Sequence, residues 1–213
     1  MRKQIEPRGR SEIVVIDSDD PRYPTAAMNL LGDDAPKRVY ALGKLSILDQ
    51  PLLAFFCSSK CPGSVILQTY DTACALRDAS VVVISGFHSP IEKECLRLLL
   101  RGTQPIVICP ARSIERMRVP AEWRAPLAAG RLLILSPLDA NHPRITAETA
   151  QHRNRFAAAL ATRILIPHAA PGSKTEAFAR EVEGWGKQML PSRRECQRPL
   201  HVCHRPPSER RQT

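Results

Sequence analysis

The chain has 213 residues, of which 43% are hydrophobic, and a formal net charge of +10. This length is enough for one sizeable hydrophobic core, and the composition excludes collagen-like, coiled-coil and wholly disordered chains. No apolar run reaches the roughly 18 residues that span a bilayer, and residues 1–7 lack the apolar core of a signal peptide, so we expect a cytoplasmic protein that does not associate with membranes.

The positive charge is concentrated at the two ends of the chain. Residues 1–10 carry four basic side chains against one acidic, and residues 191–213 carry six against two. Such basic arms attract polyanions through counterion release but do not read sequence. We therefore expect a basic N-terminal lead over 1–10, one domain over 11–190, and a basic, disordered tail over 191–213, where apolar periodicity is lost.

Seven cysteines occur in a chain without a secretion signal, so we expect them to be reduced. Two groups raise the question of zinc: Cys57 with Cys61, and a cluster of cysteine and histidine between 196 and 204. Neither group has the ligand spacing of a structural zinc site. The sequence therefore predicts no metal site, and it predicts no cofactor.

Short apolar segments alternate with amphipathic ones along the chain. An apolar segment at 13–16 is followed by a turn, and residues 39–43 are rich in β-branched and aromatic side chains. Continuous apolar runs of the kind found in buried parallel strands follow at 52–57, 81–84, 105–110, 132–137 and 164–167. Helical patterns occupy 23–31, 64–79, 91–100, 149–162 and 174–183.

This alternation predicts an α/β fold, since strand–helix–strand units form right-handed crossovers. We expect a Rossmann-like sandwich with a mostly parallel sheet and helices on both faces. Ligands of such sheets lie beyond the carboxyl ends of the strands. Four loops lie at those ends, at 58–60, 85–89, 136–137 and 171–175, although each is equally typical of an ordinary turn that caps a helix with serine or threonine.

The order of several short motifs resembles one known family. From about residue 20 to residue 187 the chain is similar to the DNA-processing protein A (DprA/Smf) family, whose Rossmann-like domain belongs to the nucleotide-binding superfamily that includes the LOG proteins. The motifs that carry the resemblance are Asp20-Pro21-Arg22-Tyr23-Pro24, Ile84-Ser85-Gly86, Arg153-Asn154-Arg155 and Gly172-Ser173-Lys174-Thr175-Glu176-Ala177.

Two loops depart from the family pattern. Cys57-Ser58-Ser59 replaces Gly-Ser-Arg, and Lys60 comes one residue late. The second loop of the family has the pattern Ser-Gly-Gly-Ala-(Arg or Lys)-Gly-Ile-Asp, where this chain has Ser85-Gly86-Phe87-His88-Ser89-Pro90-Ile91-Glu92. Glycines that let a phosphate approach the backbone, and basic residues that would hold it, are thus partly lost.

The resemblance implies a protein that binds single-stranded DNA in DNA processing, uptake or recombination, without catalysis. It also implies a homodimer and a recombinase partner. The residues that it assigns to nucleic-acid or phosphate binding are Ser58, Ser59, Lys60, Ser85, Gly86, Arg153, Asn154, Arg155, Gly172, Ser173, Lys174 and Thr175.

Other interpretations of the same residues remain open. Arg153 and Arg155 are alternatively exposed residues that pair with acids such as Glu148, and Trp123 is either a base-stacking residue or a packing anchor. A LOG-like enzyme or sensor that binds or hydrolyses a nucleotide is the competing function, although the chain lacks the Pro-Gly-Gly-x-Gly-Thr loop of those enzymes. A third alternative is a degenerate paralogue that acts through protein contacts.

Overall fold

The computed structural model describes residues 12–190, so the predicted lead and the predicted tail lie outside the described residues. An eight-stranded sheet forms the centre of this part of the chain. Its strands are β1 (Val14–Asp17), β2 (Arg38–Gly43), β3 (Leu52–Phe55), β4 (Val82–Ser85), β5 (Ile106–Ile108), β6 (Leu132–Ser136), β7 (Arg163–Leu165) and β8 (Gln188–Leu190).

The strand order is β1-β2-β6-β5-β4-β3-β7-β8. The six strands from β6 to β8 are parallel, and β2 joins them antiparallel to β6 with β1 antiparallel at the edge. Every residue of β3, β4 and β6 is buried. Burial on both faces is why their sequences are continuous apolar runs.

Helices cover both faces of the sheet, which confirms the predicted sandwich. One apolar layer holds α1, α5 and α6, and the other holds α2, α3 and α4. Within residues 12–190 none of the helices is both long and apolar enough to cross a membrane. The helices are α1 (Thr25–Leu31), α2 (Gly63–Asp78), α3 (Pro90–Leu100), α4 (Ala121–Ala128), α5 (Ala147–Leu160) and α6 (Lys174–Glu183).

Two elements of the structure were not predicted from the sequence. Helix α4 has a proline inside it, Pro126, and only that residue is buried, so it lacks the periodic apolar stripe that marks a helix. Strand β8 is three residues long and buries only Leu190. It adds a parallel edge strand beside β7, and it lies inside the predicted 11–190 domain.

The residue before β8, Lys187, binds the end of helix α5. Its Nζ donates hydrogen bonds to the carbonyl oxygens of Ala159 and Ala161, at 2.6 and 2.5 Å. Burial lowers the pKa of this ammonium group from 10.5 to about 8. In the described part of the chain no carboxylate pairs with it.

We expect the contribution of Lys187 to stability to increase as the pH rises from about 8 towards 10.5. In this window the unfolded chain keeps the proton while the folded chain releases it, so the charged form is the less stable one in the fold. The wild type should therefore gain free energy of unfolding relative to Lys187→Met between pH about 7 and 10, measured by denaturant titration. A difference that does not vary with pH would contradict this.

Candidate functional site

The carboxyl ends of β3 and β7 bring two of the predicted loops into contact. The backbone N–H of Ser58 donates to the carbonyl oxygen of His168 at 3.1 Å, and Ser58 Oγ accepts from the N–H of Ala170 at 3.0 Å. Ser58 Oγ also lies 3.4 Å from Ser173 Oγ. The structure therefore joins Ser58 and Ser173, which are 115 residues apart.

The N-terminus of α3 is occupied by a carboxylate of the chain itself. Glu92 is 7% exposed, and its oxygens accept hydrogen bonds from the backbone N–H groups of Cys57 at 2.9 Å, His88 at 2.8 Å and Ser89 at 3.2 Å. Ser89 in turn caps α3 through its Oγ. N–H groups at the ends of parallel strands and at a helix N-terminus are suited to an anion, and here all three are bound to the chain's own Glu92.

Arg153, on α5, lies behind the loop that follows β4. Its guanidinium group is directly under Gly86, because a Cβ added to Gly86 would be 0.9 Å from Arg153 Nη1. Nη1 donates to the carbonyl oxygen of Cys109 at 2.8 Å, at the end of β5. The predicted residues Gly86 and Arg153 are thus in contact.

The charge of Arg153 has no carboxylate at ion-pair distance within residues 12–190. The residue is 4% exposed, and its Nε has no hydrogen-bond partner in that part of the chain. Burial lowers the pKa of the guanidinium from its ordinary value, because desolvation disfavours the charged form. The alternative of an exposed arginine paired with Glu148 is therefore wrong for Arg153.

Arg155, unlike Arg153, forms ion pairs with acidic side chains. Its Nε donates to Glu181 Oε1 at 2.6 Å, and its Nη1 donates to Asp34 Oδ2 at 2.9 Å. These ion pairs tie α5 to α6 and to the turn before β2. The structure thus does not place Arg155 with Gly86 and Arg153, and Asn154 lies between the two arginines, partly buried.

The loop before α6 is closed by hydrogen bonds of its own. Ser173 Oγ accepts from the N–H of Glu176 at 3.1 Å, and the Glu176 carboxylate accepts from the N–H of Gly172 at 2.8 Å. Gly172 has φ +70°, a conformation that favours glycine. The loop thus forms a capped helix start, from which Lys174 projects as an exposed side chain next to the partly buried Thr175.

Polar side chains of the remaining predicted positions are distributed over the same edge. Ser59 and Lys60 are exposed after β3, whereas Ser85 is fully buried and its Oγ accepts from the N–H of Phe87 at 3.3 Å. The side chain of the predicted loop at 136–137 is used within the fold. Ser136 is fully buried and donates to the carbonyl oxygen of Arg112 at 2.8 Å.

A cavity of about 380 Å³ opens beside Arg153. The sequence did not predict it, because one wall comes from the unpredicted helix α4, which carries Trp123. Trp123 Nε1 is buried without a hydrogen-bond partner among the described residues. Phe87 forms another wall and has φ +47°, in the position where the family pattern has a glycine. That departure and the candidate stacking residue Trp123 are the two signals in the sequence that fall on this cavity.

Comparisons with known proteins agree with the architecture. The family model of DNA recombination-mediator protein A matches residues 14–189. DNA processing protein A from Streptococcus pneumoniae superposes with a TM-score of 0.68 and 17% identity, over 87% of this chain and 66% of that chain. DNA processing protein A from Helicobacter pylori, described for its unique single-stranded DNA binding mode, superposes with a TM-score of 0.67 and 20% identity, over 84% of this chain and 80% of that chain.

At these identities the two structures establish the fold. The chain spans less than two thirds of the length of the Streptococcus pneumoniae protein. No curated protein sequence gives a significant match.

Proposed function

The chain belongs to the DNA recombination-mediator protein A family, and from that premise we propose that it binds single-stranded DNA along the carboxyl ends of its parallel strands, without a chemical step. The observation that carries the proposal is the position of Arg153, whose guanidinium lies directly under Gly86 at the carboxyl ends of the parallel strands and has no carboxylate partner in the described residues. Burying a charge in this way costs folding free energy. A ligand rich in negative charge, bound at this edge of the sheet, offsets that charge electrostatically.

Exposed lysines around this edge support the proposal. Lys60 follows β3, Lys93 lies on the first turns of α3, and Lys174 begins α6; none of the three forms an ion pair within residues 12–190. Lysines of this kind bind phosphates and release counterions, so the affinity should fall as salt is added. The relative from Helicobacter pylori binds single-stranded DNA, which is consistent with the same ligand here.

The competing functions have no observation in their favour. A LOG-like enzyme needs backbone N–H groups that hold a nucleotide phosphate, and the N–H groups of Cys57, His88 and Ser89 are already bound to Glu92. A degenerate paralogue that acts through protein contacts does not need the arginine under Gly86 or the exposed lysines around the same edge.

The remaining proposals rest on the resemblance to the family. We propose a homodimer, a recombinase partner and a cytoplasmic location, and each stays a prediction. The division into a lead over 1–10, a domain over 11–190 and a tail over 191–213 is likewise a proposal, which limited proteolysis followed by mass determination tests.

Replacing Arg153 by methionine is expected to lower the affinity for a single-stranded oligothymidylate by about tenfold or more. The reason is that the protein loses the positive charge and the N–H donors of the guanidinium group. The free energy of unfolding should change by no more than about 1 kcal/mol, because methionine fills similar space and the buried charge disappears. Fluorescence anisotropy at fixed salt measures the affinity, and urea unfolding measures the stability.

Arg163 offers a matched control for this experiment. It is the first residue of β7, so it lies at the amino ends of the parallel strands, opposite to the candidate site. It is buried, and its Nε and Nη2 have no partner among the described residues. Arg163→Met should leave the affinity for DNA unchanged. Full affinity in Arg153→Met, combined with loss of binding on deletion of residues 191–213, would instead assign binding to the basic tail alone.

A further inference from the structure

Cys57 and Cys61 enclose the loop 58–60, which consists of three predicted binding residues. Cys57 stands where the family pattern has a glycine, and the proposed function gives neither thiol a role. The Cys57 side chain is 5% exposed in the apolar layer of α2, α3 and α4, and Cys61 is partly buried against the same layer. The two thiols are hydrogen-bond partners, so they face each other across the loop.

The surroundings of this thiol pair do not make a zinc site. Within residues 12–190 no three histidine, cysteine or acidic side chains are grouped so that they could hold a metal ion. A third thiol of the same apolar layer, that of Cys95 on α3, is only 1% exposed. Two thiols in direct contact, one of them reached by solvent, are the arrangement from which a disulfide forms.

The two ends of the loop are held very differently. The backbone of Cys57 is bound to Glu92, and Ser58 is bound to the loop after β7 through both its N–H and its Oγ. The backbone of Cys61 has no such hydrogen bond among the described residues. A disulfide joins its sulfur atoms at about 2.05 Å, which is closer than any hydrogen bond. Closure therefore moves Cys61 towards the fixed Cys57, and the adjacent Lys60 moves with it.

We propose that a peroxide oxidises Cys57 and Cys61 to a reversible disulfide, and that this closure withdraws Lys60 from the DNA-binding edge. The effect on DNA rests on the proposed function, whereas the disulfide does not. The Cys61 sulfur attacks one oxygen of hydrogen peroxide, which gives a sulfenic acid and one water. The Cys57 sulfur then attacks the Cys61 sulfur, and the departing hydroxide takes the Cys57 thiol proton as a second water. Two thiols and one peroxide thus become one disulfide and two waters.

Burial of the thiols determines how fast this disulfide forms and how long it lasts. Burial raises the pKa of Cys57 to about 12 and also raises the pKa of Cys61. Because the thiolate is the nucleophile, oxidation is slow at neutral pH and accelerates as the pH rises. Reduction of the disulfide is slow as well, since a thiol of high pKa is a poor leaving group. The pair therefore responds to sustained exposure to peroxide.

Thiol counting and peptide mapping test the disulfide directly. Cys196 and Cys203 lie outside the described residues and are replaced by serine in every sample, which leaves five cysteines. Hydrogen peroxide at pH about 8.5 should lower the number of thiols in the subsequently denatured protein from five to three. Mapping should find Cys57 joined to Cys61, and dithiothreitol should restore all five thiols. Five unreacted thiols, or a link from Cys57 to Cys95, would overturn the proposal.

Fluorescence anisotropy with a single-stranded oligothymidylate measures the effect on DNA. Loss of one phosphate contact should lower the affinity about fourfold at about 0.15 M salt, and it should make the slope of log K against log salt shallower by about 0.7. Cys61→Ser should bind as tightly as the reduced protein and should not respond to peroxide. Cys74→Ser, which replaces a partly buried thiol on α2, is the matched control and should lose affinity on oxidation as the parent protein does.

The outcomes separate the disulfide from the proposed function. A mapped link between Cys57 and Cys61 without a change in affinity overturns the withdrawal of Lys60 and leaves DNA binding in place. A mapped link in a protein that binds no oligothymidylate in either state supports the disulfide and overturns the proposed function. Absence of the link in a protein whose reduced form binds the strand overturns this inference alone.

Discussion

Replacing Glu92 by alanine is expected to lower the free energy of unfolding by about 3 kcal/mol or more. Three backbone N–H groups lose their acceptor together: the hydrogen bond from Cys57 is buried, and those from His88 and Ser89 are partly buried. Each buried donor left without a partner costs about 1–3 kcal/mol. Glu92 also attracts the guanidinium of Arg153, which then lacks that nearby negative charge. Urea unfolding at neutral pH measures the change.

Glu94, two residues further along α3, is the matched control. Its carboxylate pairs with Arg97 at the surface, at 2.9 Å. Exposed pairs of this kind contribute little, so Glu94→Ala should change the free energy of unfolding by less than about 1 kcal/mol. Equal changes in the two variants would show that the hydrogen bonds of Glu92 do not stabilise the fold.

Gly86→Ala is expected to lower the free energy of unfolding by about 1–3 kcal/mol, because the new methyl group overlaps a packed interior group. The added Cβ would lie 0.9 Å from Arg153 Nη1 and 1.9 Å from Arg153 Cζ. The guanidinium has to move, which breaks its hydrogen bond to the carbonyl oxygen of Cys109. The same variant should weaken binding of single-stranded DNA, since Arg153 is displaced.

A double-mutant cycle identifies the cause of this effect. In the Arg153→Met background the overlapping atoms are absent, so Gly86→Ala should cost much less there, and the two substitutions should be strongly non-additive. Gly63→Ala is the control, because a Cβ added at Gly63 meets no atom within 4 Å. Additive effects at Gly86 and Arg153 would contradict the contact.

Most of the sheet could be predicted because its strands are buried on both faces. The runs predicted at 52–57 and 132–137 contain β3 and β6, whose residues are all buried. The antiparallel placement of β2 between β1 and β6 was beyond prediction, since periodicity reports burial and not the direction of pairing. Strand β8 was missed because three residues with one buried side chain carry no pattern.

The candidate site was predicted in part. The sequence predicted Ser58 and Ser173 in one site, because both follow parallel strands, and parallel strands end at the same edge of a sheet. The difference between Arg153 and Arg155 could not be seen in the sequence. It depends on which face of α5 packs against the sheet, and on acids from α6 and from the turn before β2.

The carboxylate of Glu92 has a consequence for selectivity in a cell rich in free nucleotides. Free backbone N–H groups at such a position bind phosphate, and nucleoside triphosphates carry three phosphates per base. Here the N–H groups of Cys57, His88 and Ser89 are already satisfied, so additional phosphates on a mononucleotide find no additional donors among them. If the proposed binding edge is right, affinity should increase with the number of linked nucleotides, and small metabolites should not compete with a strand.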